Sequence, residues 1–168
     1  MKEQQVSVLD AVQIQRKIER IAHQIIEFNY NEKEVVLIGI ASQGWMLAGR
    51  IGKVVEANSN IKVHLVRLQM DKKKPLNGEY HFEGDVLDWS RRSVIIADDV
   101  LNSGRTLIYA VGEVLKQPLA KLTTVALVDR RHRKFPIKAD FVGLTLSTTM
   151  QDHITVDLTP GKEQAWIE

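Results

Sequence analysis

Two adjacent aspartates, Asp98 and Asp99, close the apolar run at residues 93–97 and lead into Val100, Leu101, Asn102, Ser103, Gly104, Arg105 and Thr106. A strand that ends in paired acids, turns through small residues and enters a helix is built to meet phosphate. The first helical turn presents N–H groups with no intrahelical partner, at the positive end of the helix dipole. Gly104 lets the backbone approach an anion closely, and the hydroxyls of Ser103 and Thr106 can donate further bonds. The carboxylates would repel the same ligand unless they engage something else. Ribose hydroxyls answer that need, and a nearby Mg²⁺ would reduce the repulsion. A bare Asp-Asp is also a turn or cap pair; Ser-Gly-Arg-Thr at this spacing, with a helix behind it, favours the ligand-binding reading. Two rival phosphate motifs are missing. No GxxxxGK[ST] occurs, and residues 39–44 do not fit GxGxxG.

The flanking pattern supplies the elements that must hold these groups. Residues 10–28 place Ile14, Ile18, Ile21, Ala22 and Ile25 on one helical face. Residues 35–40 are a short β-branched run suited to a strand buried on both faces. A second helix is expected after Gly44, with Leu47, Ala48, Ile51, Val54 and Val55 inward. Residues 61–68 alternate as a strand. Residues 71–92 lose periodicity, carry turn signals, and read as a lid-like segment or an exposed hairpin. Strands follow at 93–97, 122–128, 141–146 and 154–158, and a helix at 106–116. Strands alternating with amphipathic helices predict an α/β fold with a mainly parallel sheet flanked by helices. In such sheets ligands bind beyond the carboxyl ends of the strands, where Asp98 and Asp99 fall.

Composition bounds the chemistry. The 168 residues fit one domain with a substantial core. A net charge of +2, from 23 basic and 21 acidic side chains, is too mild to indicate nucleic-acid binding by bulk charge. The chain has no cysteine, which excludes disulfides, thiolate metal sites and a cysteine nucleophile. No stretch approaches the ~18 apolar residues of a membrane span, and the first residues lack an apolar leader core. A cytoplasmic location without membrane partners is the expectation.

The run at 94–107 is similar to the PRPP-binding motif of type I phosphoribosyltransferases, where PRPP is 5-phosphoribosyl-1-pyrophosphate. The resemblance extends to the PyrR family, bifunctional pyrimidine-operon attenuators with uracil phosphoribosyltransferase activity. IERIAHQIIEFN at 18–29, LIGIASQGWMLA at 37–48 and LVDRRHRKFPIKADFVG at 127–143 resemble that family's segments in order, so nearly the whole chain is covered. It implies a single Rossmann-like domain over 1–168, with a flexible lid and a small hood at 128–168. Asp98 and Asp99 would form the catalytic pair on the ribose hydroxyls. Val100 to Thr106 would bind PRPP, with Asn102, Ser103, Gly104, Arg105 and Thr106 around the 5-phosphate. Ala41, Ser42, Gln43 and Gly44 would form the pyrophosphate loop, which in this superfamily commonly includes a non-proline cis peptide. Asp71, Lys72, Lys73 and Lys74 would belong to the lid, and Val128, Asp129, Arg130 and Arg131 to the base site. Mg²⁺ would be held through PRPP and water rather than by direct protein ligands. The implied substrates are PRPP and a nucleobase, uracil ahead of the purines, and the implied assembly is a homodimer or higher oligomer. The chain departs from the family pattern at Gln43, where a basic residue is usual, at Gln69-Met70, where Tyr-Arg is usual, and at Arg131, where glycine is usual.

Arg130, Arg131, His132, Arg133 and Lys134 form the densest basic run. It can serve RNA phosphates, lie beside the active site, or be a solvated loop. RNA recognition usually adds aromatic stacking, and only Phe135 flanks the run; Phe28 and Leu144 are apolar where relatives tend to be basic. His23 reads as a packed or capping histidine, His81 and Tyr80 as lid residues, and His64 and His153 as strand residues without metal-ligand spacing. Trp45 either packs under the pyrophosphate loop or walls the site.

Overall fold

The computed structural model describes residues 5–149 and 152–168. Its elements run β1 (Val6–Leu9), α1 (Ala11–Phe28), β2 (Glu34–Ile40), α2 (Ala41–Asn58), β3 (Lys62–Gln69), β4 (His81–Gly84), β5 (Ser93–Leu101), α3 (Arg105–Val114), β6 (Lys121–Asp129), β7 (Phe141–Thr145), β8 (Ile154–Asp157) and β9 (Gln164–Ile167). The helix α1 starts on a capping box: Gln13 N–H donates to Asp10 Oδ1 at 2.8 Å and Asp10 N–H to Gln13 Oε1 at 2.9 Å. It buries the five residues its period selects. At its far end the Asn29 amide donates to the Ile25 carbonyl and accepts from Ser93 Oγ at 2.6 Å, which ties α1 to the start of β5.

The main sheet has the order β4-β3-β2-β5-β6-β7, parallel except for the antiparallel edge strand β4. The apolar runs of β2, β5 and β6 are buried on both faces because helices or core loops cover both. One face packs against α1 and α2; the other packs against α3 and Trp89. The chain builds outward from β2 to β3, then returns to build β5, β6 and β7 on β2's other side. The crevice of this reversal lies between the carboxyl ends of β2 and β5, the place where open α/β sheets bind ligands. A second, antiparallel sheet of order β1-β9-β8 completes the described residues.

Two strands were not expected, β1 and β9, each with only four residues, too few to show a period; β4, equally short, pairs antiparallel with β3, in line with the hairpin alternative for 71–92. The helix α3 is shorter than its apolar pattern, because Leu115 onward turns toward β6. Much of the irregular stretch at 71–92 is anchored. Residues 81–84 pair with β3, and Trp89 is only 2% exposed, edge-on to Phe82 at 4.9 Å. The Trp89 backbone N–H donates to Gln117 Oε1 at 2.6 Å and its indole N–H to the Val86 carbonyl at 2.8 Å. The part without strand pairing therefore narrows to about 71–80, where Pro75 is buried and Tyr80 packs against the core.

Candidate functional site

Asp98 is the first residue of β5 beyond its pairing with β2, which ends at Gly39↔Ala97, while pairing with β6 continues to Leu101↔Asp129. Its side chain thus enters the crevice from a strand still fixed on one side. Asp98 is 4% exposed and Asp99 partly buried, and the Asp99 N–H donates to Asp98 Oδ1 at 3.0 Å. The Lys72 ammonium crosses from the 71–80 segment to reach Asp98 Oδ1 at 3.0 Å and Asp99 Oδ1 at 3.8 Å. Burial first, and then the neighbouring Asp99 charge, push the Asp98 carboxyl up to about 8 against the opposing pull of Lys72. Burial pulls the Lys72 ammonium down, but the charges and hydrogen bonds of Asp98 and Asp99 outweigh it, and the net direction is up. At neutral pH one ammonium thus faces two carboxyls, of which the buried Asp98 is held toward its protonated form.

The four residues Ala41, Ser42, Gln43 and Gly44 do not form a loop. They are the first turn of α2, which begins directly after Ile40. Among the described residues no cis peptide occurs; the unusual backbone is Ala41, with φ 51°. Gly44 is required for packing: a Cβ there would stand 2.9 Å from the Ala97 carbonyl and 3.3 Å from Asp98 Oδ1. Its absence lets the α2 amino end press against Asp98. Gln43 turns away, its Oε1 accepting from the Leu158 N–H at 2.9 Å, so it fastens α2 to the chain after β8.

After β5 the chain turns through 102–104 with Gly104 at φ 86° and ψ −2°. A Cβ on Gly104 would meet Ile137 Cγ2 at 2.7 Å, so both the left-handed backbone and the packing select glycine. The first helical bond of α3 runs from Ile108 N–H to the Gly104 carbonyl at 2.9 Å, and Arg105 N–H turns to Ser103 Oγ at 3.3 Å. The amides of Thr106 and Leu107 precede the helical ladder and remain for an anion. A small recess of about 30 Å³ is lined here by Asp98 and by residues 100–107. A larger groove, about 660 Å³, lies elsewhere, between the 75–80 chain and the outer face of α3, and is lined by Tyr80, Tyr109 and the Glu113–Lys116 ion pair at 3.0 Å. The buried Asp98 belongs to the smaller recess.

The loop after β6 fixes the 102–104 turn from the opposite side. Lys134 and Phe135 N–H donate to the Ser103 carbonyl at 2.9 and 3.1 Å, and Arg133 Nη1 to the Asn102 carbonyl at 2.9 Å. Arg133 Nη2 also pairs with Asp129 Oδ2 at 2.7 Å, whose Oδ1 accepts from Arg131 N–H at 2.9 Å. Arg130, 7% exposed, donates to Asn102 Oδ1, Thr148 Oγ1 and the Thr149 carbonyl at 3.1, 3.1 and 3.2 Å, with His132 Nδ1 at 3.3 Å. Among the described residues no carboxylate pairs with it within 4.0 Å. The buried guanidinium is thus held by neutral acceptors beside the 102–104 turn, with the Asp152 carboxylate also within reach of its charge. Val128 is buried in the core below, and Arg131 is exposed at φ 63°, which explains why glycine suits that position.

The structure thus brings Asp98, Asp99, Lys72, Gly44 and the 100–106 turn together, and joins Asp129 and Arg130 to that turn by hydrogen bonds. It leaves Lys73 and Lys74 exposed, their N–H groups capping onto Asp71 Oδ1. Arg133 was read only as part of the basic run, and Thr148 was not singled out; the i,i+4 spacing of Asp129 and Arg133 was the available signal for their pairing. His23 is exposed rather than packed, and His64 pairs with Glu34 at 2.9 Å rather than standing alone on its strand. No group of three or more His, Asp or Glu side chains arranged to hold a metal occurs among the described residues. Among the described residues no helix is long and apolar enough to cross a membrane.

Comparison with known proteins agrees with this geometry. Residues 4–159 match the family model described as phosphoribosyl transferase domain. The chain is 38% identical over 160 residues to the bifunctional protein PyrR of Staphylococcus epidermidis, covering 90% of each chain. It is 35% identical over 157 residues to the protein of the same name from Streptococcus sanguinis, again covering 90% of each. Among solved structures it is similar in fold to the hypoxanthine phosphoribosyltransferase of Trypanosoma cruzi, with a TM-score of 0.78 at 17% identity over 96% of this chain and 94% of that one. A hypoxanthine-guanine phosphoribosyltransferase from Bacillus anthracis gives a TM-score of 0.71 at 20% identity, covering 83% and 81%.

Proposed function

Because the chain belongs to the phosphoribosyl transferase domain family, we propose that it transfers the 5-phosphoribosyl group of PRPP to a nucleobase, with uracil the first candidate. The observation that carries this reading is the Asp98–Asp99 pair at the carboxyl end of β5, followed at once by the 102–106 turn at the sheet's reversal point. The carboxylates would accept the ribose hydroxyls. The amides of the turn, with the Ser103 and Thr106 hydroxyls, would take the 5-phosphate, and the Arg130 charge behind Asn102 would favour it.

In the reaction the anomeric C–O bond to pyrophosphate breaks and a bond from the base nitrogen forms; the proton displaced from that nitrogen leaves to solvent. Holding the ribose and phosphate fixed while charge develops on the anomeric carbon is the chain's contribution. Two adjacent carboxyls without a third ligand suit Mg²⁺ bound mainly by substrate phosphate and water, the mode this ion favours. When bound, Mg²⁺ would neutralise charge on the departing pyrophosphate. Gln43 is engaged with Leu158 and supplies no cation, so Lys72, Lys73 and Lys74 are the basic groups on the lid that would meet pyrophosphate. Val128, Asp129 and the 130–137 loop would border the base, and the β1-β9-β8 sheet with the adjoining chain would form the hood of a single domain. The family resemblance also supports a homodimer or higher oligomer and a cytoplasmic location.

The test is nucleotide formation from PRPP, Mg²⁺ and each of uracil, hypoxanthine, guanine, adenine and xanthine, with and without Asp98→Asn plus Asp99→Asn. Loss of two charge-assisted bonds should lower turnover at least about 100-fold. No product from any base would overturn the enzymatic reading. A second reading, an RNA-binding attenuator that senses nucleotides at this site, is supported by the relatives' bifunctional name and by the exposed Arg131, Lys134 and Lys138. A gel shift on structured leader RNA that weakens with salt is its expected signature; no shift at low salt would remove it.

A further inference from the structure

Residues 71–80 form a loop closed on itself. Asp71 Oδ1 accepts from the N–H groups of Lys73 and Lys74 at 2.9 and 3.2 Å, Asn77 and Gly78 N–H return to the Lys74 carbonyl, and Tyr80 Oη donates to the Pro75 carbonyl at 2.9 Å. A Cβ on Gly78 would stand 2.9 Å from Asp71 Cβ, so the two ends of the loop touch. Such a loop moves as a unit. The polar side-chain bond that joins it to the catalytic crevice is that of Lys72, whose ammonium lies on the same Oδ1 atoms of Asp98 and Asp99 that face the crevice. The Lys72 side chain keeps 38% exposure, while Asp98 is buried, so solvent can reach the bond from the lysine side.

We infer that Lys72 is a latch competed by substrate: in the empty protein its ammonium fills the carboxylate pair and holds the 71–80 loop down, and a ribose diol must displace it to bind. The inference rests on the reading of Asp98 and Asp99 as the ribose-hydroxyl acceptors. Two carboxyls can be satisfied by one ammonium or by two vicinal hydroxyls, but the ammonium at 3.0 Å occupies the space the hydroxyls need. Exchange of one for the other frees the loop and its three lysines at the moment the ribose is seated. Loop release is therefore conditional on a diol. Phosphate or pyrophosphate alone offers the carboxylates no donor and leaves the latch closed.

Hydrogen exchange of the amides at 72–80 tests the latch in the full chain. In the empty protein, Lys72→Met should exchange there roughly tenfold faster than wild type, because a partly exposed ion pair is the restraint removed. Lys72→Arg should keep slow exchange, and Lys73→Met, which removes a lysine bonded to neither carboxylate, should stay within about twofold of wild type. Saturating ribose 5-phosphate should accelerate the loop in wild type and add nothing in Lys72→Met; 2-deoxyribose 5-phosphate and inorganic pyrophosphate should not accelerate it. Equal exchange in empty wild type and Lys72→Met, or equally fast exchange in Lys72→Arg, would overturn the latch. So would acceleration of wild type by pyrophosphate. If wild type binds neither PRPP nor ribose 5-phosphate by calorimetry, the functional reading fails instead, and the empty-protein comparison still decides whether Lys72 restrains the loop.

Discussion

The two sides of the crevice are built differently. On the β6 side, the phosphate turn is held by Arg130, Arg133, Lys134 and Phe135 through bonds to Asn102 and Ser103, and Asp129 braces Arg133 in turn. On the β3 side, the 71–80 loop meets the Asp98 and Asp99 carboxyls through one lysine. A rigid wall on one side and a single tether on the other is what an enzyme needs if it must position a phosphate accurately and still admit substrate. The basic run 130–134, dense enough to suggest a nucleic-acid surface, is half consumed in building that wall.

The largest effect should come from removing the wall's central bonds. Arg130→Met strands the Asn102 side-chain oxygen and the Thr149 carbonyl, and should cost about 3 kcal/mol in urea unfolding. Lys72→Met, on the tethered side, should cost less than about 1 kcal/mol because its pair is partly solvated. Equal costs at the two positions would erase the distinction between wall and tether. Next in size, Gly104→Ala forces a side chain into a left-handed backbone and against Ile137. About 2 kcal/mol is expected, readable as a fall in Tm, together with weaker PRPP binding; an unchanged Tm would mean the turn relaxes freely and the wall is not rigid.

The wall and the tether were unequally legible in the sequence. The parallel sheet, α1, and the motif from Asp98 to Thr106 followed from apolar runs, helical period and turn chemistry, all local signals. The segment 71–92 was legible only as an absence of pattern, which could not separate the loop at 71–80 from the stretch that Trp89 pins to the core. Gln43, the α2 residue that resemblance set toward pyrophosphate, instead bonds to Leu158, 115 residues away. No local pattern contains such a contact. Arg130 was expected at a base site, and its bonds to Thr148 and Thr149 likewise depend on how the chain returns after β7.

Between wall and tether sits Asp98, and pH should sharpen its role. Its folded pKa is pushed from 3.8 up to about 8 by burial and by Asp99. A raised carboxyl pKa means that the folded state binds a proton the unfolded state has released. The stability contributed by this group is therefore fully present below about pH 4 and is lost as pH rises toward 8. Asp98→Asn, which cannot ionise, should gain at least about 1 kcal/mol relative to wild type between pH 5 and pH 8 in chemical unfolding. A difference independent of pH would mean that Lys72 keeps Asp98 ionised throughout. Turnover should move oppositely, rising with pH as Asp98 gives up its proton and can accept a ribose hydroxyl.

The smallest expected change is at Arg131, and its sign is informative. Its N–H bond to Asp129 Oδ1 belongs to the backbone and survives any substitution but proline, while its side chain is exposed. At φ 63° glycine removes the steric cost, so Arg131→Gly should raise stability by up to about 1 kcal/mol. No gain would mean that the loop pays no cost at this residue. A gain with unchanged phosphoribosyl transfer, but with loss of a salt-sensitive RNA shift, would show that the strained arginine is kept for contact with phosphate outside the active site. A gain with a raised KM for PRPP would place that contact inside it, and extend the rigid wall by one residue.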